Sequence, residues 1–218
     1  MANEIEQRLE AAGLIPVLRA KSTAEAHALV EAMMAGGVEV MEVTMTVPGA
    51  TDLLKDLRQS YGDRLLLGSG TVTTAAEAIA TIEAGAEFVI SPSLHLDVID
   101  ATRRAGRVSI PGGLTPTEVI TAWRAGAAYV KVFPCSAVGG ASYLRALKAP
   151  LPEIRLIPTG GVTIATAADF LHAGASALGV GSDLVNPIAI AEGRAGDIAH
   201  IARQYREVIA RVRSGSRA

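Results

Sequence analysis

In the stretch AYVKVFPCSA, one residue can do chemistry that its neighbours cannot. Ala128 to Val132 is β-prone and apolar apart from Lys131, and Phe133-Pro134 ends the run before a Gly-rich turn. That pattern reads as a short buried strand. Period-two alternation sends Ala128, Val130 and Val132 to one face and Tyr129, Lys131 and Phe133 to the other. Desolvation disfavours an ammonium, and the free amine is a nucleophile for ketones, so one reading is a Schiff-base lysine. The other is a lysine that snorkels to the strand end and pairs with a carboxylate or an anionic ligand.

Glu42 sits in an equally apolar run and shares a face with Val40 and Thr44. A buried ion pair of Lys131 and Glu42 would do little for stability, because desolvating both charges largely offsets their attraction. A carboxylate beside an amine can, however, carry protons through carbinolamine and enamine formation. Two Gly-rich stretches, Thr159-Gly160-Gly161 and Val180-Gly181-Ser182-Asp183, add a candidate phosphate cradle. Glycines let backbone N–H groups approach an anion, and the helix following Ser182 is expected to aim its dipole there. His27, His172 and His200 fall in helical stretches, and His95 follows a strand end from which it could reach the site. No ligand-type residues show metal spacing.

These residues need strands and helices to bring them together, and the chain supplies a repeat. Strand-like and helix-like runs alternate about every 20 to 25 residues, the mark of βαβ units. Helices are expected to end at Ala35-Gly36, Ala84-Gly85, Ala105-Gly106, Ala125-Gly126 and Ala173-Gly174, each with its glycine in the left-handed cap position. Ser22 to Glu25, Thr74 to Glu77 and Thr115 to Glu118 read as capping boxes. The strands are expected at Ile15–Leu18, Val38–Val43, Leu65–Leu67, Phe88–Ile90, Val108–Ile110, Ala128–Val132, Ile154–Ile157 and Ala177–Val180. Eight such units in one domain, 1–218, close into a (β/α)8 TIM barrel, with an N-terminal helix over 1–12 plugging its bottom and a frayed tail over 214–218. A doubly wound open sheet is the alternative. In a barrel the site lies where the strands end, and there the chain carries Arg19, Glu42, Thr44, Thr71, Pro92, Lys131, Thr159 and Ser182.

The composition narrows the function. With 218 residues, 50% hydrophobic and 19% charged, the chain can bury a sizeable core. A net charge of -2 without charge runs gives no sign of nucleic acid or membrane partners. The single cysteine, Cys135, has no internal disulfide partner, reads as a small strand-end residue and fits a reducing compartment. A soluble, cytoplasmic protein is expected.

Taken together, GLIPVLRA, GGVEVMEVTMTVPGA, LLGSGTV, AEFVISPSL, IPGGLTPTE, YVKVFPCSAVGG, IPTGGVT and LGVGSDL resemble the 2-keto-3-deoxy-6-phosphogluconate (KDPG) aldolase and 4-hydroxy-2-oxoglutarate aldolase family over almost the whole chain. The resemblance implies a class I, metal-independent aldolase that needs no cofactor and assembles as a homotrimer. It implies that Lys131 forms the Schiff base and Glu42 is the acid/base. Thr71, Pro92 and Phe133 would line the pyruvate pocket, with Gly160, Gly161, Gly181 and Ser182 on the phosphate of a 2-keto acid substrate. Some relatives bind the pyruvate carboxylate with an arginine four residues beyond the glutamate, where this chain has Thr46. Arg19 is the expected substitute, with Thr44 also a candidate contact. Thr159 resembles the phosphogluconate-type enzymes, so KDPG is the expected substrate, with 4-hydroxy-2-oxoglutarate a possible second. The alternatives are 2-keto-3-deoxy-6-phosphogalactonate, noncovalent phosphosugar isomerase or synthase chemistry, and a non-catalytic engineered barrel scaffold.

Overall fold

Alternating inward and outward side chains split the apolar residues into two cores. The computed structural model describes residues 2–215. Its strands are β1 (Leu14–Leu18), β2 (Val40–Thr44), β3 (Leu66–Gly70), β4 (Phe88–Ile90), β5 (Val108–Ile110), β6 (Val130–Val132), β7 (Leu156–Pro158) and β8 (Leu178–Val180). Helix α1 (Ala2–Ala12) precedes them, and α2 (Thr23–Ala35), α3 (Ala50–Tyr61), α4 (Ala75–Glu83), α5 (Leu96–Arg104), α6 (Pro116–Arg124), α7 (Ala141–Lys148) and α8 (Ile164–His172) follow β1 to β7 in turn. A short α9 (Pro187–Ala191) and a long α10 (Ala195–Arg213) come after β8.

The inner core joins Ile15, Val40, Leu66, Phe88, Ile110, Tyr129 and Ile157, residues of one parity on successive strands. Their neighbours of opposite parity, such as Leu14, Met41, Leu67, Val130 and Leu178, pack against the helices instead. Helix α1 covers the inner core at the N-terminal end of the strands through Ile5 and Leu9, 3% and 0% exposed. Burying two such side chains contributes about 3–6 kcal/mol at most. Arg155 locks the plug in place, with ion pairs to Glu6 and Glu10 at 2.7 and 3.1 Å and its guanidinium over the Tyr129 ring.

All pairings are parallel. Six strands run in the order β5-β4-β3-β2-β1-β8, and β6 pairs with β7. Successive strands pair one after another without the order reversal of a doubly wound sheet, and the sheet curls around the inner core. An uninterrupted eight-stranded ladder is not what the hydrogen bonds give. Single parallel bridges, Gly112 with Lys131 on one side and Leu156 with Ala175 and Thr159 with Gly179 on the other, link the pair to the six-stranded sheet. Strands β6, β7 and β8 have three residues each, too few to build long ladders.

Several local expectations are corrected. The third strand, expected to stop at Leu67, continues through Gly68-Ser69-Gly70. Glycines there are strand residues because the neighbouring side chains need their space: a Cβ on Gly68 would lie 2.1 Å from the Phe88 ring. At the end of α2 the left-handed residue is Gly37 (φ 85°) and not Gly36 (φ −86°), which is pressed against Ala199 and Ala202 of α10. The capping boxes at Thr74/Glu77 and Thr115/Glu118 are reciprocal, whereas Glu25 bonds the amide of Lys21 in place of Ser22. Of the expected frayed tail, Ser214 and Gly215 form a turn, with Ser214 N–H donating to Ala210 O, and the remainder lies outside the described residues.

Candidate active site

Strands β2 and β6 each carry one ionisable side chain inward, and the two meet. Lys131 is 6% and Glu42 1% exposed, and Lys131 Nζ lies 3.5 Å from Glu42 Oε1. Charge-assisted bonds are usually 2.7–2.9 Å, so the carboxylate is within proton-transfer reach without clamping the amine. The ammonium also sits 5.5 Å from the centre of the Phe133 ring. The β6–β7 register sets Lys131 beside Ile157.

Beside this pair opens a cavity of about 400 Å3. Its walls bring together Arg19 after β1, Phe133 after β6, the loop Thr159 to Thr163 after β7, and Gly181 to Asp183 after β8. Phe133 joins the two parts, with one face toward Lys131 and a share of the cavity wall. Among the described residues, the amides of Gly161, Val162, Ser182 and Asp183 donate to no protein acceptor. Four free N–H groups on two adjacent loops beside a cavity form an anion-binding concavity.

The remaining expected residues lie elsewhere around the strand ends. Thr44 is fully buried, and its hydroxyl donates to Leu18 O at 3.0 Å and bonds Thr46 Oγ1 at 2.8 Å. Thr71 follows β3 with φ 61°, the single non-glycine residue with positive φ among those described. A β-branched residue in that region costs on the order of 1–3 kcal/mol and marks a position held by its surroundings. Bonds from Met45 N–H to Gly70 O and from Val72 N–H to Ile90 O fix the backbone on either side. Pro92 follows β4, and Gly112 packs against its carbonyl. None of Thr44, Thr71 and Pro92 lines the cavity described above. His95, expected within reach of the site, bonds Ser93 Oγ at 2.9 Å and does not line that cavity. Burial pushes the Cys135 thiol up to about 11, so it is protonated and unreactive at neutral pH.

The helix expected to face the cradle is corrected as well. The helix after Ser182 is α9, which starts only at Pro187, capped by Asn186, and does not line the cavity. The N-terminus that does is that of α8, through Thr163. Sequence reasoning also missed what Asp183 does. Its Oδ2 accepts from the first helical amide of α8, Ile164 N–H at 3.2 Å, and from Tyr205 Oη–H at 2.5 Å. Burial, followed by the bond to Asp183, raises the Tyr205 phenol well above its ordinary value, so it stays a donor. Asp183 thus ties the β8 loop to α8 and α10. Its partner lies 22 residues away on α10, a separation no local motif announces.

The sequence profile described as KDPG and KHG aldolase matches residues 5–203. The chain is 35% identical over 197 residues to the 2-dehydro-3-deoxy-6-phosphogalactonate aldolase of Escherichia coli K12, which covers 90% of this chain and 96% of that protein. It is 33% identical to the 2-dehydro-3-deoxy-phosphogluconate aldolase of Treponema pallidum, covering 94% and 97%. Among solved structures, the KDPG aldolase of Legionella pneumophila with pyruvate captured as a covalent carbinolamine superposes with a TM-score of 0.84 at 30% identity, covering 91% and 96%. Since the profile spans nearly all of the chain and these relatives match it end to end, the chain belongs to the KDPG and KHG aldolase family.

Proposed function

We propose that this protein is a class I aldolase that cleaves KDPG to pyruvate and glyceraldehyde 3-phosphate. The observation that carries the reading is the buried Lys131 amine 3.5 Å from the Glu42 carboxylate, at the strand ends beside a cavity with free backbone donors. The carbinolamine in the Legionella pneumophila relative supports the covalent route. The Lys131 amine adds to the C2 ketone, and Glu42 carries the protons as the carbinolamine loses water to give an iminium. Deprotonation of the C4 hydroxyl then breaks C3–C4, with the bonding pair passing into the iminium to give an enamine and the free aldehyde. Protonation of the enamine at C3 and addition of water release pyruvate and the amine, so the water lost is returned. The iminium is the electron sink, and the scheme draws on no metal or cofactor.

Remote binding supports the same reading. The amides of Gly161, Val162, Ser182 and Asp183 would hold the phosphate while Arg19, on the cavity wall, pairs with an anionic end of the substrate. Fixing both ends orients the scissile bond over Lys131. Thr71, Pro92 and Phe133 are assigned to the pyruvate half, and Thr159 to the boundary between halves. The single bridges on either side of the β6–β7 pair support closure of the eight strands into a (β/α)8 barrel. Family resemblance supports a homotrimer. No helix among the described residues is long and apolar enough to cross a membrane.

A second reading has its own support. The 35% identity to a phosphogalactonate enzyme favours the C4-epimeric substrate, against Thr159, which favours KDPG. Steady-state cleavage of both epimers, followed through pyruvate release, tests the proposal. KDPG is expected to give the higher kcat/KM. Preference for the epimer selects the second reading, and cleavage of neither removes both.

A further inference from the structure

The inward face of β3 reads Leu66, Gly68, Gly70, and its last position touches the candidate chemistry. A Cβ built on Gly70 would lie 1.8 Å from Glu42 Oε1 and 2.4 Å from both Glu42 Cδ and Cγ. Oε1 is the oxygen that faces Lys131 Nζ. All three of the nearest atoms belong to Glu42. The backbone of Gly70 does not itself require glycine, since its φ lies outside the left-handed region. Pairing of Thr44 with Gly70 and the bond from Met45 N–H to Gly70 O hold the two strands in register here.

We propose that Gly70 is a positioning residue, whose missing side chain is the volume that holds the Glu42 carboxylate against Lys131. This rests on Glu42 being the acid/base. The three atoms nearest to a methyl group at position 70 belong to one flexible side chain and not to backbone, so the strand can keep its place while the Glu42 side chain moves. Glu42 is enclosed (1% exposed), and the atom that the methyl group overlaps most closely is Oε1, the oxygen that faces the amine. Glycine at this position therefore keeps the proton carrier in place, and the strand itself would tolerate alanine.

The test compares Gly70→Ala, Glu42→Ala and the double variant, using KDPG cleavage, exchange of the pyruvate methyl protons with deuterium, and thermal unfolding. Gly70→Ala is expected to lower kcat and the exchange rate by about 10²-fold, the scale of a lost general acid–base, with KM changed by less than about threefold. In the Glu42→Ala background the same substitution is expected to change neither rate nor unfolding temperature, because the side chain it displaces is gone. A penalty of the same size in both backgrounds would make Gly70 a structural glycine and overturn the proposal. So would a Gly70→Ala enzyme of normal kcat alongside a Glu42→Ala enzyme slowed by about 10²-fold or more. If Gly70→Ala alone fails to fold, the double variant decides, since recovery of folding supports the proposal and failure overturns it. Normal turnover by Glu42→Ala would instead sink the acid/base assignment.

Discussion

Replacing Glu42 by methionine removes the carboxylate facing Lys131 and leaves a buried cation. The two side chains are 8% and 2% exposed, so neither can turn to bulk water. Removing one partner of a buried pair costs about 3–5 kcal/mol. The contact of 3.5 Å is long for such a pair, which puts the expected loss near the lower end, about 3 kcal/mol. For a domain of this size that lowers Tm by about 6–12 °C. Lys131→Met strands the carboxylate instead and is expected to cost a similar amount. The double variant, Lys131→Met with Glu42→Met, removes both desolvation penalties and is expected within about 1 kcal/mol of the parent, or above it. The two single losses sum to about 6 kcal/mol, so the cycle should show strong coupling. The two variants lacking Lys131 should be inactive toward KDPG, and Glu42→Met slowed by about 10²-fold or more. Urea unfolding at pH 7, with a turnover assay on each protein, gives both numbers. A double variant as unstable as the sum of the singles would mean that the two side chains are not coupled, and one as unstable as either single would make the pair a net fold-stabilising contact, contrary to its being kept for chemistry.

Other consequences follow from neighbouring contacts. Asp183→Ala leaves the buried Tyr205 hydroxyl with only a long contact of 3.5 Å to Val162 O and should cost about 1–3 kcal/mol in urea unfolding; Asp183→Asn, which keeps an acceptor, should cost less, and equal losses would refute the assignment. Gly179→Ala puts a Cβ 2.1 Å from Thr159 Oγ1, and is expected to change the ratio of kcat/KM for the two C4 epimers about tenfold or more; an unchanged ratio would remove Thr159 from selectivity. At the start of α6, the amide and hydroxyl of Thr115 and the amide of Leu114 hold the Glu118 carboxyl below its usual 4.5. A depressed carboxyl contributes stability above its unfolded value and loses it as pH falls through the folded one. The Tm difference between the parent and Glu118→Gln should therefore shrink as pH drops below 4.5, and a gap constant down to pH about 2 would contradict the cap.

Much of this was legible because it is periodic or local. Alternation correctly grouped Lys131 with Tyr129 and Glu42 with Val40, and both groups face the inner core, since strand parity is a short-range rule. Paired Thr and Glu three residues apart announced the starts of α4 and α6 for the same reason. What escaped depends on neighbours distant in sequence. Gly68 reads as a chain breaker until the Phe88 ring is seen filling its space. The role of Asp183 needs Tyr205 on α10 and the first amide of α8. Likewise, α9 is the next helix after Ser182 in sequence, but the cavity is bounded in space by the start of α8.

The central claim is that the Lys131 amine forms a Schiff base with the keto acid. Intact mass after incubation with pyruvate and borohydride, for the parent and for Lys131→Ala, tests it most directly. The account predicts an adduct of about 72 Da, that of a reduced pyruvate imine, on the parent and none on the folded variant. An adduct on both proteins would place the nucleophile elsewhere, and none on the parent would mean that Lys131 does not react covalently with pyruvate.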